Sequence, residues 1–288
     1  MALWFDEEYP AGHGHSTIGE GVTRLGVKVK KTLFRGKSDF QEVMVFESED
    51  WGRVLTLDGC FMVTERDEFV YHEMLSHPAC MANGNVKTAL VIGGGDGGTV
   101  REILKHDPER VDLVEIDKMV IDASREFLPS VAGKLSDPRV TINTVDGLKW
   151  GADRKNAYDV VFVDSCDPVG PGIGLFQAPF YKNVAASLKA GGIMVAQSES
   201  PHQHPDIIRT QYAELRKAFK HEGMYLAHMP TYPTGCWSFA YCSNDVSVEQ
   251  GIERAAKATK PIDTKYYNRD LHRGAFLLPN FAKKLVEV

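Results

Sequence analysis

Six residues with the sequence GGGDGG, at positions 93 to 98, constrain the fold of this chain more than any other stretch. They follow the apolar run TALVI and precede TVREILKH, which has the pattern of a helix. Gly93, Gly95 and Gly98 fit the spacing G-x-G-x-x-G, in which glycines permit a tight turn and let backbone N–H groups approach a ligand. Nicotinamide, flavin and S-adenosyl ligands all use such a turn, so this spacing predicts a nucleotide site without choosing its ligand.

From residue 86 onward, short apolar runs alternate with helix-like segments. RVDLVEID, RVTINTVDG, YDVVFVD and GGIMVAQSES read as strands, and MVIDASREFL and FYKNVAASLKA as helices. This alternation predicts an α/β fold, a doubly wound and mainly parallel sheet with helices on both faces. The later runs GMYLAHMPTY and CWSFAYCS predict a terminal pair of strands.

The chain before this point has a different pattern, in which short β-like runs alternate with turns. Asp58 and Gly59, within VLTLDGCF, form a hairpin signal between two apolar runs. We therefore predict a small antiparallel β-domain. We expect residues 1–78 to hold this domain and the start of a linking helix, and residues 79–288 to form the nucleotide-binding catalytic domain.

The linking helix is predicted from the segment TERDEFVYHEMLSHPA. Thr64 and Asp67 have the spacing of a capping box at its start. Pro78 has no backbone N–H, so we expect the helix to stop there.

Acidic residues stand at the ends of the predicted strands. Asp96, Glu115, Asp146 and Asp164 hold such positions, and Asp167 follows in the loop after the last of them. Ligands of open α/β sheets bind outside the carboxyl ends of the strands, so we expect these carboxylates to face one crevice. Like charges at close range raise one another's pKa unless cations compensate. A polycationic ligand is the simplest explanation, and pairing with neighbouring Lys or Arg side chains is the alternative for each carboxylate.

The position of Asp96 helps to distinguish between the nucleotides that could bind at the glycine turn. Within the glycine turn, its carboxylate would repel the pyrophosphate of a dinucleotide. Asp146, followed by Gly147, can accept a hydrogen bond from an adenine amino group. Glu115 lies where an acidic residue holds ribose hydroxyls, although it could merely cap the end of its strand. Together these residues favour an S-adenosyl compound over NAD.

Composition excludes several classes of protein. The 288 residues carry 33 basic and 39 acidic side chains, a formal net charge of −6, which argues against nucleic-acid binding. The 5 cysteines form no C-x-x-C pair, so neither a disulfide framework nor a zinc cluster is expected. The acidic start MALWFDEEYP does not resemble a signal peptide, and no apolar run approaches the ~18 residues of a membrane span. We expect a cytoplasmic protein, in which His13 and His15 belong to a loop rather than to a metal site.

Several fragments, in one order along the chain, carry a resemblance to a known family. They are LDG…TERDEFVYHEM, IGGGDGG, VEID, DSCDPVGP…LF…FY, PTYP and YYN…H…AF.LP. The match runs from about residue 40 to residue 282, and this part of the chain resembles the spermidine synthase family, the polyamine aminopropyltransferases. The resemblance implies a Rossmann-like fold similar to that of class I methyltransferases, with a β-domain in front.

The implied reaction transfers an aminopropyl group from the co-substrate decarboxylated S-adenosylmethionine to the diamine putrescine, giving spermidine and methylthioadenosine. The resemblance implies direct displacement without a metal or a prosthetic group, and a homodimer or homotetramer.

The resemblance also implies a role for each of a set of residues. Asp164 would accept the proton of the attacking amine. The implied substrate contacts are Asp167, Ser165 and His72 for the acceptor, Asp96 for the amine of the donor, Tyr232 as a wall of the acceptor pocket, and Gln41. The implied nucleoside contacts are Gly93, Gly95, Glu115, Asp146, Gly147, Gln41 and Pro171. Three of these residues have simpler readings: a helix pair of His72 with Glu68, a solvent-facing Gln41, and an ordinary core aromatic at Tyr232.

Two residues depart from the family pattern and leave the acceptor open. Met62 stands where the family usually has Gln, and Cys166 replaces the commoner Ser or Thr. Cadaverine, agmatine and spermidine are therefore alternative acceptors. An amine N-methyltransferase of the same fold, a non-catalytic polyamine-binding protein and a dehydrogenase are the alternative functions.

Overall fold

The computed structural model describes residues 3–7, 25–150, 154–166 and 170–287, without the side chains of residues 170, 171 and 233. Its N-terminal part is a 5-stranded antiparallel sheet in which each strand pairs with the next along the chain. The strands are β1 (Trp4–Glu7), β2 (Leu25–Lys37), β3 (Glu42–Ser48), β4 (Arg53–Leu57) and β5 (Cys60–Thr64).

The predicted hairpin joins β4 to β5. Asp58 and Gly59 both have positive φ angles, 47° and 85°, and Leu57 pairs directly with Cys60. Two central residues with positive φ twist the turn in the same sense as the flanking strands. The Asp-Gly signal is confirmed at this position.

The larger sheet has 7 strands in the order β11-β12-β10-β9-β6-β7-β8. Its strands are β6 (Thr88–Gly93), β7 (Arg110–Val114), β8 (Val140–Asn143), β9 (Tyr158–Asp164), β10 (Leu188–Gln197), β11 (His221–His228) and β12 (Cys236–Ser243). The five strands β6 to β10 all run parallel to one another, whereas β12 is antiparallel to both β10 and β11. The predicted terminal pair of strands is therefore present.

Helices flank this sheet. They are α1 (Glu68–Asn83), α2 (Gly98–Leu104), α3 (Lys118–Phe127), α4 (Pro129–Ala132), α5 (Gly147–Trp150), α6 (Ala178–Ser187), α7 (Pro205–Leu215), α8 (Val248–Lys257), α9 (Arg269–Ala275) and α10 (Asn280–Val286). No helix within the described ranges is long and apolar enough to cross a membrane.

Side chains on both faces of the sheet are buried in separate apolar layers. Along β9, Val160 and Phe162 point into the layer that contains α1 and α2, whereas Val161 and Val163 point into the layer that contains α6 and α7. A strand buried on both faces needs a continuous apolar run, and this requirement explains the sequence YDVVFVD. The predicted fold class, a doubly wound Rossmann-like sheet behind a small antiparallel domain, is confirmed.

The small sheet packs against helices that belong to the large one. Val45 and Leu55 share an apolar cluster with Val120 of α3 and Val131 of α4. This packing holds the small domain beside the carboxyl end of β7, which leads into α3.

Two predictions about α1 are wrong. Thr64 ends β5 and the helix begins at Glu68; the hydroxyl of Thr64 donates to Asp67 Oδ1 at 2.6 Å, so no capping box forms. Asp67 Oδ2 instead accepts hydrogen bonds from the backbone N–H and the hydroxyl of Thr231, at 3.0 and 2.7 Å.

The helix also continues through Pro78 to Asn83. A proline inside a helix removes the hydrogen bond to the carbonyl four residues earlier, which here is that of Met74. The hydroxyl of Tyr225, on β11, donates to this carbonyl at 2.7 Å. The proline is tolerated because a side chain from another element replaces the missing donor. Residue 78, where the sequence suggests a domain boundary, therefore lies within α1, and the division into domains stays a prediction.

Candidate active site

Two carboxylates come together where the strand order of the large sheet reverses. From β6 the chain moves outward through β7 and β8, and then returns to the other side of β6 with β9. Gly93 at the end of β6 lies opposite Asp164 at the end of β9 in the register of this parallel pair. Asp96 follows in the turn between β6 and α2. Such a reversal opens a crevice at the carboxyl ends of the strands, where open α/β sheets bind their ligands.

The glycine turn can pass this close to Asp164 only because it has no side chains. Gly93 has a φ of 81°, and a Cβ atom there would lie 2.0 Å from the backbone oxygen of Asp164. At Gly98, a Cβ would lie 2.3 Å from the ring of His72. Glycine is therefore required at both positions for contact between the turn, β9 and α1.

Asp164 is held by two hydroxyl groups. Tyr71 donates to Oδ1 at 2.8 Å, and Thr99 donates to Oδ2 at 2.6 Å. Burial raises the pKa of this carboxyl above its usual range, and the nearby carboxylate of Asp96 raises it further, whereas the charge of His72 and the two hydroxyls act in the opposite direction. A carboxylate with a raised pKa is a stronger base than an ordinary aspartate.

Asp96 is paired with a histidine of α1. His72 Nε2 lies 3.1 Å from Asp96 Oδ1, which also accepts the backbone N–H of Gly98 at 2.8 Å. Burial of Asp96 disfavours its charged form, but the positive charge of His72 outweighs this and lowers the pKa of the carboxyl. Asp96 is therefore ionised beside Asp164, whose pKa is raised.

His72 is itself held from its other side. Its Nδ1 lies 2.6 Å from Glu68 Oε2, so the helix pair that the sequence allowed is present. Arg101 donates to both oxygens of Glu68, at 2.9 and 2.8 Å. Burial lowers the pKa of the imidazole, but Asp96 and Glu68 together raise it to about 10. A doubly protonated ring thus joins two carboxylates.

His72, Asp96 and Asp164 are also the residues that would have to bind a metal ion at this site. One ligand atom from each of His72, Asp96 and Asp164 lies within 4.8 Å of the others. Both nitrogens of His72, however, face carboxylates, at 2.6 and 3.1 Å, and the raised pKa of the ring favours its protonated form. An imidazolium has no lone pair for a metal, so this group fits an ammonium better than a metal ion.

Glu115 closes the other side of the glycine turn. Its Oε2 accepts the backbone N–H of Gly95 at 3.2 Å, and its Oε1 accepts that of Asp117 at 2.9 Å. Burial raises its pKa to about 7, although the two N–H groups oppose the shift. Gln41 of the small domain reaches this corner, where its Nε2 donates to Asp117 Oδ2 at 3.0 Å. It is half-buried and bonded rather than simply facing solvent.

Asp146 and Gly147 lie beyond β8, at the outer end of the crevice. Asp146 Oδ1 accepts the backbone N–H of Leu148 at 2.9 Å at the start of α5. A Cβ atom at Gly147 would lie 2.5 Å from Ile92 Cγ2 at the end of β6. Gly147 therefore packs closely against the end of the strand that leads into the glycine turn.

A cleft of about 430 Å³, including its open mouth, is bounded by Tyr71, which donates to Asp164, and by Ser165, which follows Asp164 in the chain. It is lined by Glu7, Cys60, Phe61, Met62, Tyr71, Ser165, Cys166, Gln197, His204, Tyr232 and Trp237. Tyr232 packs both on Tyr71, with ring centroids 5.6 Å apart, and on Trp237, at 4.7 Å, and its hydroxyl donates to Met62 O at 2.8 Å. Tyr232 is thus a core aromatic and a wall of the cleft at once.

The loop after Asp164 is described only in part. The hydroxyl of Ser165 is buried and has no hydrogen-bond partner among the described residues. Cys166 is exposed at the cleft. Asp167 lies outside the described residues, as do His13 and His15, and the side chain of Pro171 is not described.

Sequence reasoning missed Tyr71, Thr99 and Arg101. Tyr71 directly precedes His72, and Thr99 directly follows the glycine turn, so their positions beside predicted site residues were the available signal. For Arg101 the sequence offers only a position in the short helix α2, because its partner Glu68 is 33 residues away.

Two family models match this chain. Residues 68–251 match the family model described as a spermine/spermidine synthase domain, and residues 3–65 match the model described as a spermidine synthase tetramerisation domain. The chain belongs to the spermine/spermidine synthase family.

Relatives and solved structures match over nearly the full length. A polyamine aminopropyltransferase from Alkaliphilus oremlandii is 44% identical over 290 residues, covering 100% of this chain and 99% of the relative. One from Clostridium perfringens is 43% identical with the same coverage. A crystal structure of spermidine synthase in complex with the transition-state analogue AdoDATO superposes with a TM-score of 0.91 at 38% identity, covering 99% of this chain and 94% of that chain. The spermidine synthase of Thermotoga maritima gives 0.88 at 36% identity, with the same coverage.

Proposed function

We propose that this protein is a spermidine synthase, which transfers the aminopropyl group of decarboxylated S-adenosylmethionine to putrescine. The observation that carries the proposal is the pair of Asp96 and Asp164, which lie where the strand order reverses. One oxygen of each carboxylate lies within 4.8 Å of the other and of a ring nitrogen of His72. Asp96 is held ionised by His72, whereas Asp164 is a carboxylate of raised pKa held by two neutral hydroxyls. One carboxylate suits a fixed ammonium and the other suits a proton acceptor.

The reaction is a direct displacement at the carbon next to a sulfonium. A primary amine has a pKa of roughly 10 and is almost wholly protonated at neutral pH, so it must lose a proton before it can attack. Asp164 takes that proton and orients the nitrogen lone pair. The new C–N bond forms as the C–S bond breaks, and the bonding pair stays on sulfur, which leaves as the neutral thioether of methylthioadenosine.

The other predicted residues divide between the two substrates. Asp96 holds the ammonium of the aminopropyl donor, and Glu115 takes the ribose hydroxyls. Asp146 and Gly147 hold the adenine, with Gln41, Pro171 and the turn glycines Gly93 and Gly95 as further nucleoside contacts. Asp167, Ser165, His72 and Tyr232 hold the acceptor. Both ring nitrogens of His72 already face carboxylates, so a direct contact with the acceptor would require one nitrogen to turn away from its partner. Holding the charge of Asp96 is therefore the simpler role for His72.

The names of the relatives support this assignment. Both bacterial relatives are called polyamine aminopropyltransferases, and the solved spermidine synthase binds a compound described as a transition-state analogue. Coverage of 99% of each bacterial relative means that both parts of the chain have a counterpart there.

The assay that tests the proposal is product analysis by mass spectrometry with decarboxylated S-adenosylmethionine and a panel of amines. Putrescine is expected to be the preferred acceptor over cadaverine, agmatine and spermidine. Met62 lines the cleft, so Met62→Gln is run beside the wild type to measure how this side chain sets the preference. A mass gain of a methyl group with S-adenosylmethionine would instead identify an amine methyltransferase, which Asp96 disfavours because it would repel the carboxylate of that donor.

The role of Asp164 is tested with Asp164→Asn. We expect kcat to fall by roughly 10²–10⁴-fold, the range typical of a lost general base, with an unchanged circular dichroism spectrum. Asp122→Asn, on the exposed face of α3, is the control and should keep full activity. Near-full transfer by a folded Asp164→Asn enzyme would contradict the mechanism.

We also propose that the chain assembles with copies of itself, as a dimer or tetramer. The match of residues 3–65 to a tetramerisation model supports self-association. Leu3 and Trp4, at the edge strand β1 of the small sheet, are 62% and 57% exposed, an unusual exposure for large apolar side chains. Light scattering of the purified protein gives the subunit count. A cytoplasmic location and the absence of nucleic-acid binding stay predictions.

A further inference from the structure

The two hydroxyls that hold Asp164 stand in different surroundings. Tyr71, which donates to Oδ1, is among the residues that line the cleft. Thr99, which donates to Oδ2 at 2.6 Å, is fully buried in the first turn of α2. The two oxygens of the carboxylate therefore have different neighbours: Oδ1 is bonded to a side chain that lines the cleft, and Oδ2 to one that is fully buried.

The interior side is closed by the glycine turn as well. A Cβ atom placed on Gly94 would lie 2.7 Å from Asp164 Oδ2, so only the bare backbone of the turn fits against this oxygen. No substrate atom can approach Oδ2 from that direction. The hydroxyl of Thr99 also fixes the rotation of the carboxylate plane, because turning the group would break a hydrogen bond to a charged acceptor.

We propose that Thr99 is a positioning residue for the transfer reaction: its hydroxyl anchors Oδ2 of Asp164, and Oδ1 is the oxygen that accepts the proton of the amine. Each carboxylate oxygen has two lone-pair directions, so Oδ1 can accept from Tyr71 and from the amine at once. The inference rests on the proposed function, because it assigns the proton of that reaction to one atom.

Removing the hydroxyl has a second effect, on the pH dependence of the reaction. The described groups that act on Asp164 include the carboxylates of Asp96 and Glu115 and the buried ring of His72, together with the hydroxyls of Tyr71 and Thr99. Hydrogen bonds to the charged form lower the pKa of a carboxyl, so losing the one from Thr99 must raise it. On acidification, the variant would then lose activity at a higher pH than the wild type does.

Thr99→Val tests this role, because valine has nearly the shape of threonine without its hydroxyl. We expect kcat to fall roughly ten- to hundredfold, as for a lost hydrogen bond to a charged group. The KM for decarboxylated S-adenosylmethionine should stay within about twofold, since Thr99 touches Asp164 and not the donor's ammonium site. The acidic limb of the kcat/KM profile should move to higher pH. Thr99→Ser keeps the hydroxyl and should restore the wild-type rate and the wild-type limb.

Two results would overturn the proposal. One is a Thr99→Val enzyme with the wild-type kcat and an unmoved acidic limb. The other is equal loss of rate in Thr99→Val and Thr99→Ser, which would show that packing alone matters at this position. Wild-type enzyme assayed in parallel separates these results from failure of the proposed function, because a wild type without aminopropyl transfer would overturn both.

Discussion

Arg101 binds Glu68 through two parallel hydrogen bonds, of 2.9 and 2.8 Å, directly behind the histidine that holds Asp96. The two terminal nitrogens of the guanidinium each donate to one oxygen of Glu68, and its Nε donates to Glu102 at 2.8 Å. These side chains extend from the site as a row of alternating charges, in the order Asp96, His72, Glu68, Arg101 and Glu102. The charge of Asp96 therefore depends on groups that do not reach the crevice.

Glu68→Gln removes one charge from this row. Breaking a buried ion pair leaves the remaining charge uncompensated, and we expect the free energy of unfolding to fall by roughly 3–5 kcal/mol. The KM for the aminopropyl donor should rise as well, because the positive charge of His72 is no longer secured. Urea denaturation and steady-state kinetics measure the two effects.

Glu109→Gln is the matched control for this variant. Glu109 is 70% exposed and lies 3.5 Å from Lys87, so its loss should change stability by less than about 0.5 kcal/mol. Equal stabilities of Glu68→Gln and the wild type would refute the structural role of the row.

The proline in α1 allows a test with two tyrosines. Tyr225→Phe leaves the buried carbonyl of Met74 without its donor and should cost about 1–3 kcal/mol. Tyr212→Phe removes a hydroxyl that is buried without a hydrogen-bond partner among the described residues, so it should be neutral or stabilising. Thermal and chemical denaturation of both variants measures the difference, and equal effects would count against the contact with Met74.

Gly98→Ala should damage the site. Its Cβ would lie 2.3 Å from the ring of His72, which is fixed between two carboxylates and cannot move aside. We expect a loss of transfer activity of at least tenfold and a lower melting temperature. Gly133→Ala is the control: nothing lies within 4 Å of its Cβ and its φ is −58°, so it should stabilise the protein by about 0.4–1 kcal/mol. Full activity of Gly98→Ala would show that the ring can shift.

The protonation of His72 predicts a pH dependence of stability. The pKa of His72 is raised from 6.5 to about 10 in the folded protein, so its contribution is fully present below pH 6.5 and is lost as the pH rises toward 10. Subtracting the profile of His72→Gln isolates this contribution, which the shift sets at roughly 5 kcal/mol at most. Chemical denaturation between pH 6.5 and 10 measures it, with the exposed His228→Gln as control. Parallel profiles of wild type and His72→Gln would mean that the ring is neutral.

Much of this architecture could be read from local patterns. Strands buried on both faces have continuous apolar runs, and the glycine turn marks the first of them, so the sheet and its nucleotide edge followed from residues 86 to 197. The acidic residues at the strand ends also followed, because parallel strands end at one edge. Asp164 and Asp96 meet as the pattern requires.

Other contacts depend on neighbours that no local pattern reveals. Thr99 meets Asp164 across 65 positions because β6 and β9 are adjacent, and adjacency follows from strand order rather than from composition. The rule that proline ends a helix failed at Pro78 because its missing donor is supplied 147 positions later, by Tyr225. The capping box failed because Asp67 bonds to Thr231 instead of to its own helix.

The bond between Tyr225 and Met74 links two substitutions that are far apart in the chain. An amino acid other than proline at position 78 would bring its own N–H to the carbonyl of Met74, and the hydroxyl at position 225 would then be surplus. The two sites should therefore change together during evolution, with tyrosine retained where proline is present and phenylalanine tolerated where it is not.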